Sequence, residues 1–155
     1  MAEPSPAPHS ADSRRHKIVS DVHLLLVNPM GAVLFGKHQN TGYEDDAWYL
    51  PSGRLEAGES VIAALIREAR DEIGVAIDEQ DVEFAHVMHN SSGGGRMAFF
   101  FVVRNWAGEP ENREPGKCSQ LEWFSLGALP YDLNPCCRAA LEWIAASHYF
   151  SVYGW

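Results

Sequence analysis

The stretch from Gly53 to Val75, GRLEAGESVIAALIREARDEIGV, decides how the rest of the chain is read. Ser60 stands where a helix N-cap belongs, because its hydroxyl can accept from an amide of the first turn. Gly74 stands where helices end in a left-handed residue. Between them lie good helix formers, with no Pro and no Gly. At about 100° per residue, Ile62, Leu65, Ile66, Ala69 and Ile73 share one side. Glu68, Asp71 and Glu72 fall on an adjacent side, at i, i+3 and i+4. Like charges at this spacing weaken a helix by roughly 0.2–0.5 kcal/mol per pair. A solvated acidic face is the ordinary explanation of such a run. Here the acids adjoin the apolar stripe and follow a glycine-rich turn, which points to a site. Oxygen-only clusters suit a hard cation such as Mg²⁺, which bridges to substrate phosphates.

The whole chain sets limits on that site. Its 155 residues make one domain with a core of its own. Hydrophobic residues are 46% and charged residues 21%, ordinary for a globular protein. The formal net charge of −9 argues against a sequence-independent nucleic-acid binder, so no nucleic-acid partner is expected. Phosphate can still bind where a cation neutralises it locally. Cys118, Cys136 and Cys137 form no metal-binding pair pattern and read as free or buried thiols of a reducing compartment. No apolar run approaches membrane-spanning length, and no apolar signal core opens the chain. A cytoplasmic protein without a membrane partner is expected.

The stretch resembles the motif of Nudix (MutT-like) hydrolases. That motif runs Gly, five residues, Glu, seven residues, then Arg-Glu-apolar-x-Glu-Glu-x-Gly-apolar. Gly53, Glu59, Arg67-Glu68, Glu72, Ile73, Gly74 and Val75 match it. Ala69 is a small occupant of the apolar position, and Asp71 replaces a Glu, keeping the charge on a shorter arm. The resemblance implies an α/β fold, an α/β/α sandwich around a mixed sheet, over about residues 18 to 147. It implies Glu68 and Glu72 as main metal ligands, with Asp71 in support. The carbonyl of Ser52 can join them, and Glu59 and Arg67 brace the loop against the helix. A second similarity lies in Trp106-Ala107-Gly108-Glu109-Pro110 followed by Arg113-Glu114. In MutT-type triphosphatases the later Glu of such a loop reaches the metal or its water, which implies Glu114 here. Glu68 and Glu114 both remain candidates for general base, and Glu68, Glu72 and Glu114 make the expected catalytic set. The implied cofactor is Mg²⁺, or Mn²⁺ in its place. The implied partner is a small-molecule nucleotide, met by a monomer or homodimer.

Outward from the motif, residues 1–17 read as a disordered Pro-, Ala- and Ser-rich tail, and 18–155 as the domain. Ile18–Val27 and Ala32–Lys37 read as a hairpin around the turn Asn28-Pro29-Met30-Gly31. His23 interrupts the first strand. A packed histidine is the favoured reading, with contact to a substrate base the other. Trp48–Leu50 is a short strand before Pro51. Tyr43, Trp48 and Tyr49 are candidates to stack on a base, with core packing the equal alternative for Trp48 and Tyr49. Asp78–Asp81 is a helix-like turn. Val82–His89 and Arg96–Val103 pair across Asn90–Gly95, and Phe99-Phe100-Phe101 suggests burial on both faces. His86, His89 and Arg96 are candidate substrate contacts. Gln120–Phe124 is a strand, Ser125–Leu129 a helical turn and Asn134–Ser147 the last helix. The aromatic end, His148–Trp155, either folds back or covers a partner.

Residues 76–96 hold neither the proline nor the tyrosine that marks some Nudix subfamilies. The expected reaction is therefore cleavage of a nucleoside triphosphate to monophosphate and pyrophosphate, an oxidised dGTP being one candidate substrate. The alternatives are an ADP-ribose or nucleotide-sugar pyrophosphatase, and a non-catalytic nucleotide-binding module.

Overall fold

The computed structural model describes residues 14–42 and 45–155. Eight strands and two helices follow in the order β1 (Val19–Leu26), β2 (Val33–His38), β3 (Trp48–Tyr49), β4 (Ser52–Arg54), α1 (Val61–Ile73), β5 (Val82–Asn90), β6 (Arg96–Val103), β7 (Cys118–Phe124), α2 (Pro135–Ala145) and β8 (Phe150–Tyr153). A 3-10 turn, Glu79–Asp81, precedes β5. Five strands form one sheet in the order β4-β1-β6-β5-β8, and three form a second in the order β3-β2-β7. The larger sheet is mixed: β1 runs parallel to β6 and antiparallel to β4.

Alternation along β1 explains the layers. Val22, Leu24 and Leu26 pack with Ala64, Leu65, Ala69 and Ile73 of α1. Leu25 faces the other way, towards Phe35, Trp48, Phe100 and the α2 residues Cys137, Ala140 and Leu141. A central strand covered by a helix on each face has no solvent side, hence its nearly unbroken apolar run. The same division separates Phe100 from Phe101, which enter opposite clusters. This is the expected α/β/α sandwich.

The first hairpin needs correction. β1 and β2 lie in different sheets: their side chains pack together, as Leu25 does on Phe35, but the bridge between them among the described residues is Val27 to Val33. The turn forms as read, with the Asn28 side chain accepting from the amides of Met30 and Ala32 at 3.0 and 2.9 Å. Beyond it, however, β2 pairs with β3 and β7. Residues 125–129 form a hydrogen-bonded turn, not a helix, with Ala128 N donating to Ser125 O at 3.0 Å. The aromatic end folds back: β8 pairs in parallel with β5. His86 holds it there. Its Nδ1 lies 2.6 Å from His148 O and its Nε2 2.7 Å from Ser151 Oγ. Of the tail expected over 1–17, residues 1–13 lie outside the described residues, while His16 Nε2 sits 2.7 Å from Gly94 O.

Candidate active site

Helix α1 carries the acids, and its ends are fixed as the sequence suggests. Ser60 Oγ accepts from Ala63 N at 3.1 Å, and Gly74 closes the helix at φ +71°. Strand β4 runs past the acidic side of α1. A Cβ at Gly53 would fall on the carboxyl of Glu68, so glycine here lets that side chain lie against the strand. Ser52 N donates to Glu72 Oε2 at 3.2 Å. The two main acids are thereby docked on the strand that precedes the helix.

Arg67 braces the turn between them. Its Nε and Nη2 donate to the two oxygens of Glu59 at 3.0 and 2.7 Å, its Nη1 to Glu68 Oε1 at 2.7 Å, and Nη2 also to Arg54 O at 3.1 Å. Glu59 Oε1 in turn accepts from Glu56 N at 2.8 Å. The guanidinium therefore spends its fork on the loop and on one oxygen of Glu68. Flanking carboxylates raise its pKa further, and the same contacts hold Glu59 below its ordinary range.

Glu114 arrives by a separate route. The loop after β6 docks on the last carbonyls of α1, with Glu111 N donating to Ile73 O at 2.9 Å and Arg113 N to Glu72 O at 3.0 Å. Ala76 and Ala107 exchange both backbone hydrogen bonds at 2.9 Å. The Arg113 side chain lies over Gly74, where a Cβ would collide with it. Asn112 Oδ1 then accepts from Glu114 N at 3.0 Å, while Asn112 Nδ2 reaches Cys118 O at 2.6 Å.

Glu68, Glu72 and Glu114 line one cavity of about 370 Å³, together with Ser52, Gly53 and Lys117. Its electrostatics are those of crowded acids. Burial pushes the Glu72 carboxyl well above the usual carboxylate range, and the charges of Glu68 and Glu114 push it further. Burial also raises Glu68, against the pull of Arg67. The cavity thus holds carboxyl groups that resist ionising together. A hard, oxygen-seeking cation resolves that repulsion, so the donor set fits Mg²⁺ or Mn²⁺. Among the described residues, no three His, Cys, Asp or Glu side chains are already gathered as ligands; Glu68 is turned towards Arg67 instead. Burial also raises the pKa of Cys118, which lines the same cavity.

A second cavity, about 460 Å³, adjoins the first and shares Ser52, Tyr49 and His38 with it. Tyr49 and His38 stack face to face, 3.6 Å between centroids. Phe100, His23, Asn134 and the Asp21–Arg96 pair also line it. Arg96 holds Asp21 through Nε and Nη2 at 2.7 and 2.5 Å.

Placed against the sequence reading, Ser52, Glu68, Glu72 and Glu114 come together. Asp71 is exposed and paired with Arg70 at 3.4 Å; it faces the group only as a charge near Glu68. Arg96 lines the second cavity. Trp48 lies in the core, edge-on to Phe124 at 5.0 Å, and lines neither cavity. His89 packs beside Trp155 at 4.6 Å, also away from both. Tyr43 lies outside the described residues. The sequence reading missed His38, Lys117 and Asn134. Only Asn134 had a local signal: it precedes Pro135 as a helix cap, and its Oδ1 accepts from Cys137 N at 3.1 Å.

The fold is a mixed α/β sandwich in which glutamates of one helix face Gly53 of strand β4 across a cavity. The model of the NUDIX domain matches residues 17–144, and the chain belongs to that family. It is 36% identical over 80 residues to putative nudix hydrolase 1 of Caenorhabditis elegans, covering 51% of this chain and 20% of that protein. It is 28% identical over 90 residues to the human 8-oxo-dGDP phosphatase NUDT18, covering 57% of this chain and 27% of that one. The chain therefore spans about a fifth to a quarter of the length of these relatives. The 8-oxo-dGTP diphosphatase of Escherichia coli is 31% identical over 87 residues, 55% of this chain and 63% of that protein. Among solved structures, a MutT NUDIX hydrolase from Burkholderia pseudomallei superposes with a TM-score of 0.73 at 28% identity, over 82% of this chain and 98% of that one.

Proposed function

We propose that the chain is a divalent-metal-dependent pyrophosphohydrolase that cleaves a nucleoside triphosphate to the monophosphate and pyrophosphate. One observation carries the reading: a carboxylate cavity and an aromatic-walled cavity meet at Ser52, Tyr49 and His38. A ligand with an anionic chain at one end and a flat polar ring at the other spans both. Similarity to an 8-oxo-dGTP diphosphatase supports a triphosphate and makes an oxidised guanine nucleotide a candidate. Similarity to RNA pyrophosphohydrolases is shorter, at 63 residues, and a net charge of −9 opposes an RNA substrate.

Glu68, Glu72 and Glu114 would hold the cation, with the Ser52 carbonyl beside them and Asp71 reaching it through water. When bound, the cation neutralises phosphate oxygens and makes water easier to ionise. Glu68 is the group to take the water's proton, because Arg67 fixes one of its oxygens and burial makes the carboxylate more basic. Lys117 is exposed at the rim of the carboxylate cavity and adds a cation for the phosphate chain. The unit extends over 18–155. Cys118, Cys136 and Cys137 form no disulfide among the described residues, which suits a reducing, cytoplasmic setting.

The test is turnover of wild type and Glu72→Gln with Mg²⁺ on ordinary and oxidised nucleoside triphosphates, ADP-ribose and dinucleoside polyphosphates. Pyrophosphate and monophosphate from wild type, lost in the variant, are expected. Turnover of ADP-ribose alone would move the chain to a nucleotide-sugar pyrophosphatase. No turnover of any of them would make it a binding module.

A further inference from the structure

Two histidines of the larger sheet differ: His86 is buried, and His23 is half-buried with Nδ1 enclosed. His86 has a partner for each ring nitrogen. His23 has none among the described residues, and its Nδ1 is buried without a hydrogen bond. His23 sits on β1 between Ser52 of β4 and Phe100 of β6, at the middle of the sheet. Its ring lies flat on Phe100, 4.6 Å between centroids and 13° between planes. It lines the second cavity.

The tautomer follows from these facts. The His23 ring lies flat on Phe100 with Nδ1 enclosed and unbonded, a setting that suits the neutral imidazole with its one proton. An enclosed N–H without an acceptor is rarer and more costly than an enclosed lone pair. The proton therefore belongs on Nε2. That nitrogen is not enclosed, since Nδ1 alone of this ring is a buried atom without a partner. The ring thus presents a donor to the cavity on an apolar, aromatic floor.

Resting on the nucleotide reading above, we infer that His23 is a base-selecting residue that donates from Nε2 to a carbonyl oxygen of the substrate's base. A base with an exocyclic amino group at that position brings donor against donor and is disfavoured. Oxo bases are therefore preferred over their amino counterparts within each ring size.

The test needs no catalysis. Metal-free protein is titrated with two pairs of monophosphates, inosine against adenosine and uridine against cytidine, by calorimetry. Wild type binds the oxo member of at least one pair about tenfold more tightly, the worth of one directed hydrogen bond. His23→Phe keeps the stacked ring and removes the donor, and the ratio falls to within about twofold while thermal stability is kept or raised. A ratio unchanged in His23→Phe overturns the proposal, as does equal binding of both members, or of neither, by wild type. Should His23→Phe not fold, His23→Leu, which also lacks a donor, is measured in its place, and an unchanged ratio overturns the proposal. Mg²⁺-dependent turnover of triphosphates by wild type is read separately, so a failed nucleotide reading is distinguished from a failed role for His23.

Discussion

At the scale of the residue, Glu72 is held by burial and by the amide of Ser52. An amide oxygen in Glu72→Gln can still accept from Ser52 N, so the fold should persist. Turnover should fall at least about 100-fold, as when a directly involved electrostatic group is removed. Steady-state kinetics beside a melting curve check both halves. Gly53→Ala meets the same acid group from the strand side: the new methyl displaces Glu68. We expect kcat to fall at least about tenfold from misplacement of a reacting group. His23 supplies a pH dependence. Its folded pKa, about 4, lies below its ordinary 6.5, so between these values the unfolded chain binds more protons. Its contribution is whole above pH 6.5 and is lost as pH falls towards 4, on the order of 3 kcal/mol at most. Denaturant melts across that window should slope less in His23→Phe than in wild type.

At the scale of the element, the brace around Arg67 joins a loop, a strand end and a helix. Arg67→Lys keeps the charge and loses the fork. Stability should fall by about 1–3 kcal/mol, since several acceptors lose a charged donor. Turnover should fall with it, because Glu68 is then free to rotate. A melting curve and kcat on one preparation measure both. This element was legible in the sequence: Ser60, Gly74 and the acidic side are local, and local spacing encodes them, while the Glu59–Arg67 partnership came from the motif's resemblance. The first hairpin was not. Its turn residues are correct, yet nothing local says that β2 leaves for a second sheet, because that choice belongs to β3 and β7.

At the scale of the whole molecule, the site is built by parts distant in sequence. Glu114 could be named because its loop resembles one seen elsewhere. His38 and Lys117 could not, because tertiary packing alone brings them to the cavities, and Asn134 showed only as a helix cap. His23 was visible as an interruption, but its lone nitrogen depends on what Phe100 and Ser52 leave around it. Trp48 goes the other way: of its two readings, base stacking and core packing, the core claims it. The C-terminal strand makes a prediction at this scale. Removing residues 149–155 deletes β8, leaves His86 Nε2 without Ser151 and bares an edge of β5. Hydrogen exchange at Val87–Asn90 should quicken and the melting temperature should drop; unchanged exchange would mean that β8 adds nothing to the sheet.

The loop that carries Glu114 hangs its amides from the final carbonyls of α1. Those carbonyls would otherwise face solvent, so the helix end and the loop share one set of bonds. Neither can open without the other losing partners. A helix terminus is where fraying normally starts, but here fraying would withdraw an acid from the candidate active site in the same motion. The amides of Glu111 and Arg113 should therefore exchange in step with Gly74, as one cooperative unit. A substitution that loosens the helix end would then slow turnover while touching neither substrate nor metal, and the protein's residual activity on warming would report the unzipping of a single turn.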